Sequence, residues 1–105
     1  MTSLEWLQQW YFRQCNDTWE HYHGINIQSL DNPGWLVKID LAGTPLASLA
    51  MPEIGDVSLV NHRGTSGDHN WINCKVENGV FTGAGGPFSL MQICAVFEDW
   101  VKTVG

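Results

Sequence analysis

The dipeptide Asn78-Gly79 narrows the possible folds of this chain more than any other pair of residues. Asn-Gly suits a type I′ turn, because both central residues of that turn take positive φ. A type I′ turn joins antiparallel strands through two residues, so it sets Val76 opposite Phe81. Both are apolar. Ile72, Cys74 and Val76 define an apolar strand face on the N-terminal side of the turn. A chain with this hairpin is committed to an antiparallel sheet.

A second hairpin precedes it. From Gly24 the hydrophobic period is two: Ile25 and Ile27 alternate with Asn26 and Gln28. Asp31 to Gly34 (DNPG) interrupts. Then Trp35, Val37, Ile39 and Leu41 alternate with Leu36, Lys38 and Asp40. This is the pattern of half-buried antiparallel strands. Pro33 and Gly34 suit the centre of a type II turn, which would put Asn32 opposite Trp35. That register sets Ile27 opposite Asp40 and crosses the two faces. A bulge or a three-residue loop near Asp31 is therefore expected, with Ile27 opposite Ile39.

Helical periodicity brackets these strands. Thr2 and Glu5 form a capping box, followed by Leu4, Leu7 and Tyr11 with Trp6 and Trp10 beside them. This helix should run to about Cys15 and stop at Asn16-Asp17. At the other end Ser89 is a natural N-cap. Leu90, Ile93, Cys94, Phe97, Trp100, Val101 and Val104 then form one apolar stripe. Residues 42–55 are irregular, with two prolines and no sustained period. Val57 and Leu59 mark a third strand, and Arg63 to His69 a polar loop. The expected fold is α+β: an antiparallel sheet of about five strands, with the N-terminal and C-terminal helices packed on one face. All 105 residues form one domain.

The charge balance restricts the partners. Five Lys and Arg against eleven Asp and Glu leave a net charge of −6. Nucleic-acid binding needs cations that neutralise phosphates, so it is not expected. A basic protein partner suits this charge. The three cysteines, Cys15, Cys74 and Cys94, are widely spaced and make no C-x-x-C. The N-terminus lacks a basic segment leading into an apolar core, and no apolar run is long enough to span a membrane. A cytoplasmic protein with reduced thiols is expected.

Three stretches could carry chemistry. Trp19 to Ile25 (WEHYHGI) has Glu20, His21 and His23 close together. On a strand, His21 and His23 would share a face and could hold a metal with a carboxylate or a third histidine, as in a small hydrolase. A bare H-x-H is common by chance, and Glu20 beside His21 would point the other way. The plainer reading is a helix-to-strand connection in which Trp19 closes the core. Thr82 to Leu90 (TGAGGPFSL) follows a strand and opens a helix, where free N–H groups attract anions. It lacks a phosphate-loop lysine, so it reads as a tight loop that lets the last helix fold back. Finally, Trp71 falls out of phase with Ile72, Cys74 and Val76. It should lie on the open face of the sheet, with Asn73, Lys75, Asn26, Gln28, Leu36, Lys38 and Asp40. Such a mixed face suits protein binding. No cofactor is expected.

Taken together, LQQWYFRQC, WEHYHGINIQSLDNPGWLVKIDLAGT and FTGAGGPFSLMQICAVFEDWV resemble the Immunity protein 53 family of bacterial polymorphic toxin systems. That family reads L-Q-x-W-Y near its start, then a Cys, W-E-H, G-I-x-I, T-L-D-N-P-G-W and I-D-L. It ends with a tryptophan strand, G-x-G-G-P and a helix carrying F-x-x-W. The matching positions are Leu7 to Tyr11, Cys15, Trp19 to His21, Gly24 to Ile27, Leu30 to Trp35, Ile39 to Leu41, Trp71, Gly83 to Pro87, and Phe97 to Trp100. Ser29 replaces a threonine, and Asn16 to Thr18 replace a more glycine-rich turn. Tyr22 and His23 occupy positions with no fixed residue, which weakens the H-x-H reading.

The resemblance implies an antidote that binds one cognate toxin and blocks it by occlusion, without catalytic residues. An acidic plug would suit a nuclease with a basic cleft. A monomer or weak dimer is expected. Candidate contact residues are Glu20, His21, Asp31, Asn32, Asp56, His62, Asp68, His69 and Trp71.

Overall fold

A computed structural model describes residues 1–31, 33–55 and 71–104. The first helix, α1, spans Ser3–Gln14. Its capping box is complete: the Glu5 N–H donates to Thr2 Oγ1 at 3.1 Å, and the Thr2 N–H donates to Glu5 Oε1 at 2.8 Å. Cys15 ends the helix, and Asp17 follows with φ of 72°. A short helix, α2, spans Trp19–Tyr22. Four strands follow: β1 Ile25–Leu30, β2 Gly34–Asp40, β4 Ile72–Glu77 and β5 Val80–Gly85. A two-residue edge segment, β3, lies at Ile54–Gly55. The chain finishes with α3, Leu90–Val104.

All pairings are antiparallel, in the spatial order β1-β2-β5-β4-β3. The α+β layout is as the sequence indicates. Its "about five" strands are four of six or seven residues plus the two-residue edge. The expected strand at Val57 and Leu59 lies outside the described residues.

The Asn78-Gly79 turn has φ values of 56° and 75°, and Val76 lies opposite Phe81. In the first hairpin, three residues (31–33) connect Leu30 to its partner Gly34. The expected three-residue loop is therefore present, but the expected pair is not. Ile25 lies opposite Ile39, and Ile27 lies opposite Val37. The difference is two positions, so the apolar series still share a face. Gly34 is the cause. It is a strand residue, not a turn residue, because a Cβ there would sit 2.3 Å from the Gly85 carbonyl oxygen. Only glycine lets these two backbones pair so closely.

Both long helices cover the face bearing Val37, Ile39, Phe81, Cys74 and Ile72. Phe97 of α3 is the centre of this core. Its ring lies 5.0 Å from Phe81, 5.1 Å from Trp10 and 6.0 Å from Trp6. Edge-on aromatic contacts of this kind add to the burial energy. Cys74 and Cys94 are buried core fillers. Burial pushes the Cys74 thiol up to about 12, with a smaller push from nearby Cys94.

Three tryptophans fasten irregular segments to this core. The indole N–H of Trp19 donates to the Ala42 carbonyl at 2.7 Å, that of Trp35 to Pro87 at 3.0 Å, and that of Trp100 to Ala50 at 3.2 Å. Trp19 closes the core, as expected, packed edge-on against Trp10 at 6.2 Å.

Candidate partner-binding surface

The stretch Trp19 to Ile25 folds as one helical turn and then a strand. Asn16 starts the turn: its Oδ1 accepts the N–H of Thr18 at 3.0 Å and of Trp19 at 2.9 Å. Glu20 answers by accepting the N–H of Asn16 and of Asp17, both at 2.9 Å. The Trp19 N–H taken by Asn16 is one of the donors that a helix start leaves free, and the two taken by Glu20 belong to the connection before it. The bond from its own backbone N–H, then those from Asn16 and Asp17, hold the Glu20 carboxyl below its usual range. Glu20 is therefore an internal brace of the α1–α2 connection.

His21 and His23 do not share a face. His21 lies in the helical turn, exposed, and His23 terminates it in extended conformation. Residues two apart on a helix point in different directions. His23 stacks at a tilt on Trp19, 6.0 Å between ring centres, and its Nδ1 lies 3.8 Å from Asp40 Oδ2. Asp40 Oδ2 also accepts the Gly24 N–H at 3.1 Å. The alternative H-x-H metal pair, which required a strand, is not formed, because the helical turn separates its members. Among the described residues, no three His, Cys, Asp or Glu side chains group as metal donors.

The glycine-rich stretch is also corrected. Gly83 and Gly85 belong to β5 rather than to a loop, and they face α3. A Cβ on Gly83 would lie 2.4 Å from Ile93 Cγ2, and one on Gly85 2.9 Å from Ser89 Cβ. The glycines let the helix approach the sheet, which is the packing role rather than a phosphate cradle.

The sequence-derived contact residues are not gathered at one place. Glu20 and His21 precede Gly24, at the end of the sheet where Ile25 pairs with Ile39. Asp31, exposed, follows Leu30 at the opposite end. Trp71, half-buried, immediately precedes β4 at that same end; the Gly86 N–H donates to its carbonyl at 3.1 Å. Trp71 lies just outside the strand, one residue before buried Ile72. Two strands, β2 and β5, separate β1 from β4. Asn32, Asp56, His62, Asp68 and His69 lie outside the described residues.

Sequence reasoning missed the exposed apolar groups. Phe12 on α1, Tyr22 on α2 and Phe88 before α3 are each about three-quarters or more exposed, at 76%, 77% and 84%. The signal was available: Phe12 falls outside the Leu4, Leu7, Tyr11 stripe. Sequence reasoning also missed a groove of ≈ 490 Å³ between α1 and β1, lined by Leu4, Leu7, Tyr11, His23, Ile25 and Ile27.

The structure that emerges is a small α+β fold, with its accessible features among the described residues in faces, grooves and one sheet edge. The chain belongs to the Immunity protein 53 family, whose model matches residues 4–102. That membership gives it an immunity role. Neither the curated proteins nor the solved structures include a match to it. No helix among the described residues is long and apolar enough to cross a membrane.

Proposed function

We propose that this protein binds one cognate toxin in the cytoplasm of the producing cell and neutralises it by stoichiometric occlusion. Membership of the Immunity protein 53 family over residues 4–102 carries this reading. The net charge of −6 supports it, because an acidic surface speeds encounter with a basic toxin such as a nuclease. The exposed Phe12, Tyr22 and Phe88 support it too, since aromatic anchors dominate binding energy at protein interfaces. His21, Asp31 and Trp71 are the described contact residues we assign from the sequence, with Asn32, Asp56, His62, Asp68 and His69 as the others. Glu20 acts behind them by bracing α2.

Co-expression with the toxin encoded by the adjacent gene is the direct experiment. Growth should be restored, and the purified pair should elute as a one-to-one complex. No rescue together with no complex would sink the reading.

A further inference from the structure

Strand β1 is the outermost strand of the sheet on its side, and its outer edge is free of any partner among the described residues. The register states which backbone groups that edge offers. The Asp40 N–H donates to the Gly24 carbonyl at 3.0 Å, so this pair is hydrogen-bonded across β1 and β2. Bonded and non-bonded pairs alternate along an antiparallel ladder. Asn26, Gln28 and Leu30 therefore bond to β2, and Ile25, Ile27 and Ser29 turn their N–H and C=O groups outward. The other side of β2 agrees. The Leu41 N–H donates to the Gly79 carbonyl at 2.9 Å, so the odd-numbered residues of β2 bond to β5 and the even-numbered ones to β1.

This edge carries none of the usual defences. Free edges are normally shortened, bulged, or marked with lysine or proline. β1 has six residues, INIQSL, paired in unbroken register, with no charge and no proline. The opposite edge, β3, is two residues long.

The groove lies beside the same edge. Ile25 and Ile27 point into it, towards Leu4, Leu7 and Tyr11 of α1. Ile27 is 38% exposed, although Val37 directly across the ladder is fully buried. A strand added to β1 would place alternate side chains over Ile27 and into the groove. Charge selects what that strand carries. Asp31 stands just past one end of β1, and Asp40 and Glu20 stand near the other. A second copy of this chain would bring its own net charge of −6 to the contact. A cationic segment would meet opposite charge at both ends.

We infer that the free edge of β1 receives an extended segment of the toxin as an additional strand, with alternating apolar residues and flanking lysines or arginines. This rests on the toxin-binding function proposed above. The outward amides of Ile25, Ile27 and Ser29 supply the backbone bonds, and the α1–β1 groove takes the side chains.

The experiment measures binding of the toxin domain encoded by the adjacent gene, in catalytically inactive form, to the full-length protein. Ser29→Pro removes one outward donor and leaves every β1–β2 bond in place. Ile27→Lys puts a charge at the groove. Each should weaken binding by about 30-fold or more, the size of an interface hot spot. Gln28→Ala, on the opposite face of the same strand, should bind normally. Circular dichroism confirms that each variant is folded. Amide hydrogen exchange adds a readout that needs no variant: Ile25, Ile27 and Ser29 should exchange fast in the free protein and slowly in the complex. Wild-type binding with unchanged variants and unprotected amides overturns the edge proposal alone. Protection that rises with the concentration of the free protein also overturns it, since the occupant is then a second copy. Failure of the wild type to bind the toxin overturns the function and the edge together.

Discussion

Glu20, Glu5 and Glu98 each hold a carboxylate against hydrogen-bond donors that need its charge. Glu20 is bound first by its own backbone N–H, Glu5 by the Thr2 backbone, and Glu98 by the Lys102 ammonium; all three are held below the ordinary value of 4.5. A depressed carboxyl contributes its stability in full above the unfolded-state value and loses it as pH falls through the folded value. These three groups should therefore make the urea midpoint decline as pH falls below about 4.5. A Glu5→Gln, Glu20→Gln, Glu98→Gln triple variant should show a shallower decline. The thiols make a second residue-scale prediction. Cys74 and Cys94 are buried, and burial pushes both thiols up. Neither should react with a thiol reagent at pH 8 until urea unfolds the chain, whereas half-buried Cys15 should react in the folded protein.

At the scale of elements, close approach between β5 and α3 sets the tightest constraint. Ile93 is fully buried and already fills the space a Gly83 side chain would need. Gly83→Ala should cost about 1–3 kcal/mol, as overpacking does, read as a lower urea midpoint with unchanged slope. The glycines of TGAGGP were visible in the sequence, but their reason was not, since it depends on which side chain α3 brings down. α1, α3 and the Asn78-Gly79 hairpin were legible because each repeats a period or uses a turn that few residues satisfy. α2 was not. Four residues cannot display a helical period, and only Trp19 faces inward. Its signal was Asn16 followed four residues later by Glu20, a cap recognisable only once both hydrogen-bonded ends are seen. The exact register of β1 on β2 was hidden for a similar reason, because Gly34 looked like a turn residue.

For the whole molecule, one aromatic core joins both long helices to the sheet through Phe97. Far-ultraviolet circular dichroism and tryptophan fluorescence should then report one coincident unfolding transition. Phe97→Ala should lower stability by about 3–5 kcal/mol and keep the transition single. The layered fold was readable because burial imposes a pattern on the residues that make it. The proposed binding surface was less readable, since an exposed edge or a solvated groove imposes none. Asp31 and Trp71 could be named from sequence, but their separation by two strands could not. The indole bonds of Trp19, Trp35 and Trp100 bear on how such a protein can change over generations. Each indole grips a main-chain oxygen at Ala42, Pro87 or Ala50, and every amino acid brings that same oxygen. The anchoring is thus indifferent to side-chain identity at the gripped position. The segments around Ala42, Pro87 and Ala50 can therefore change their side chains while the clasps that hold them stay shut.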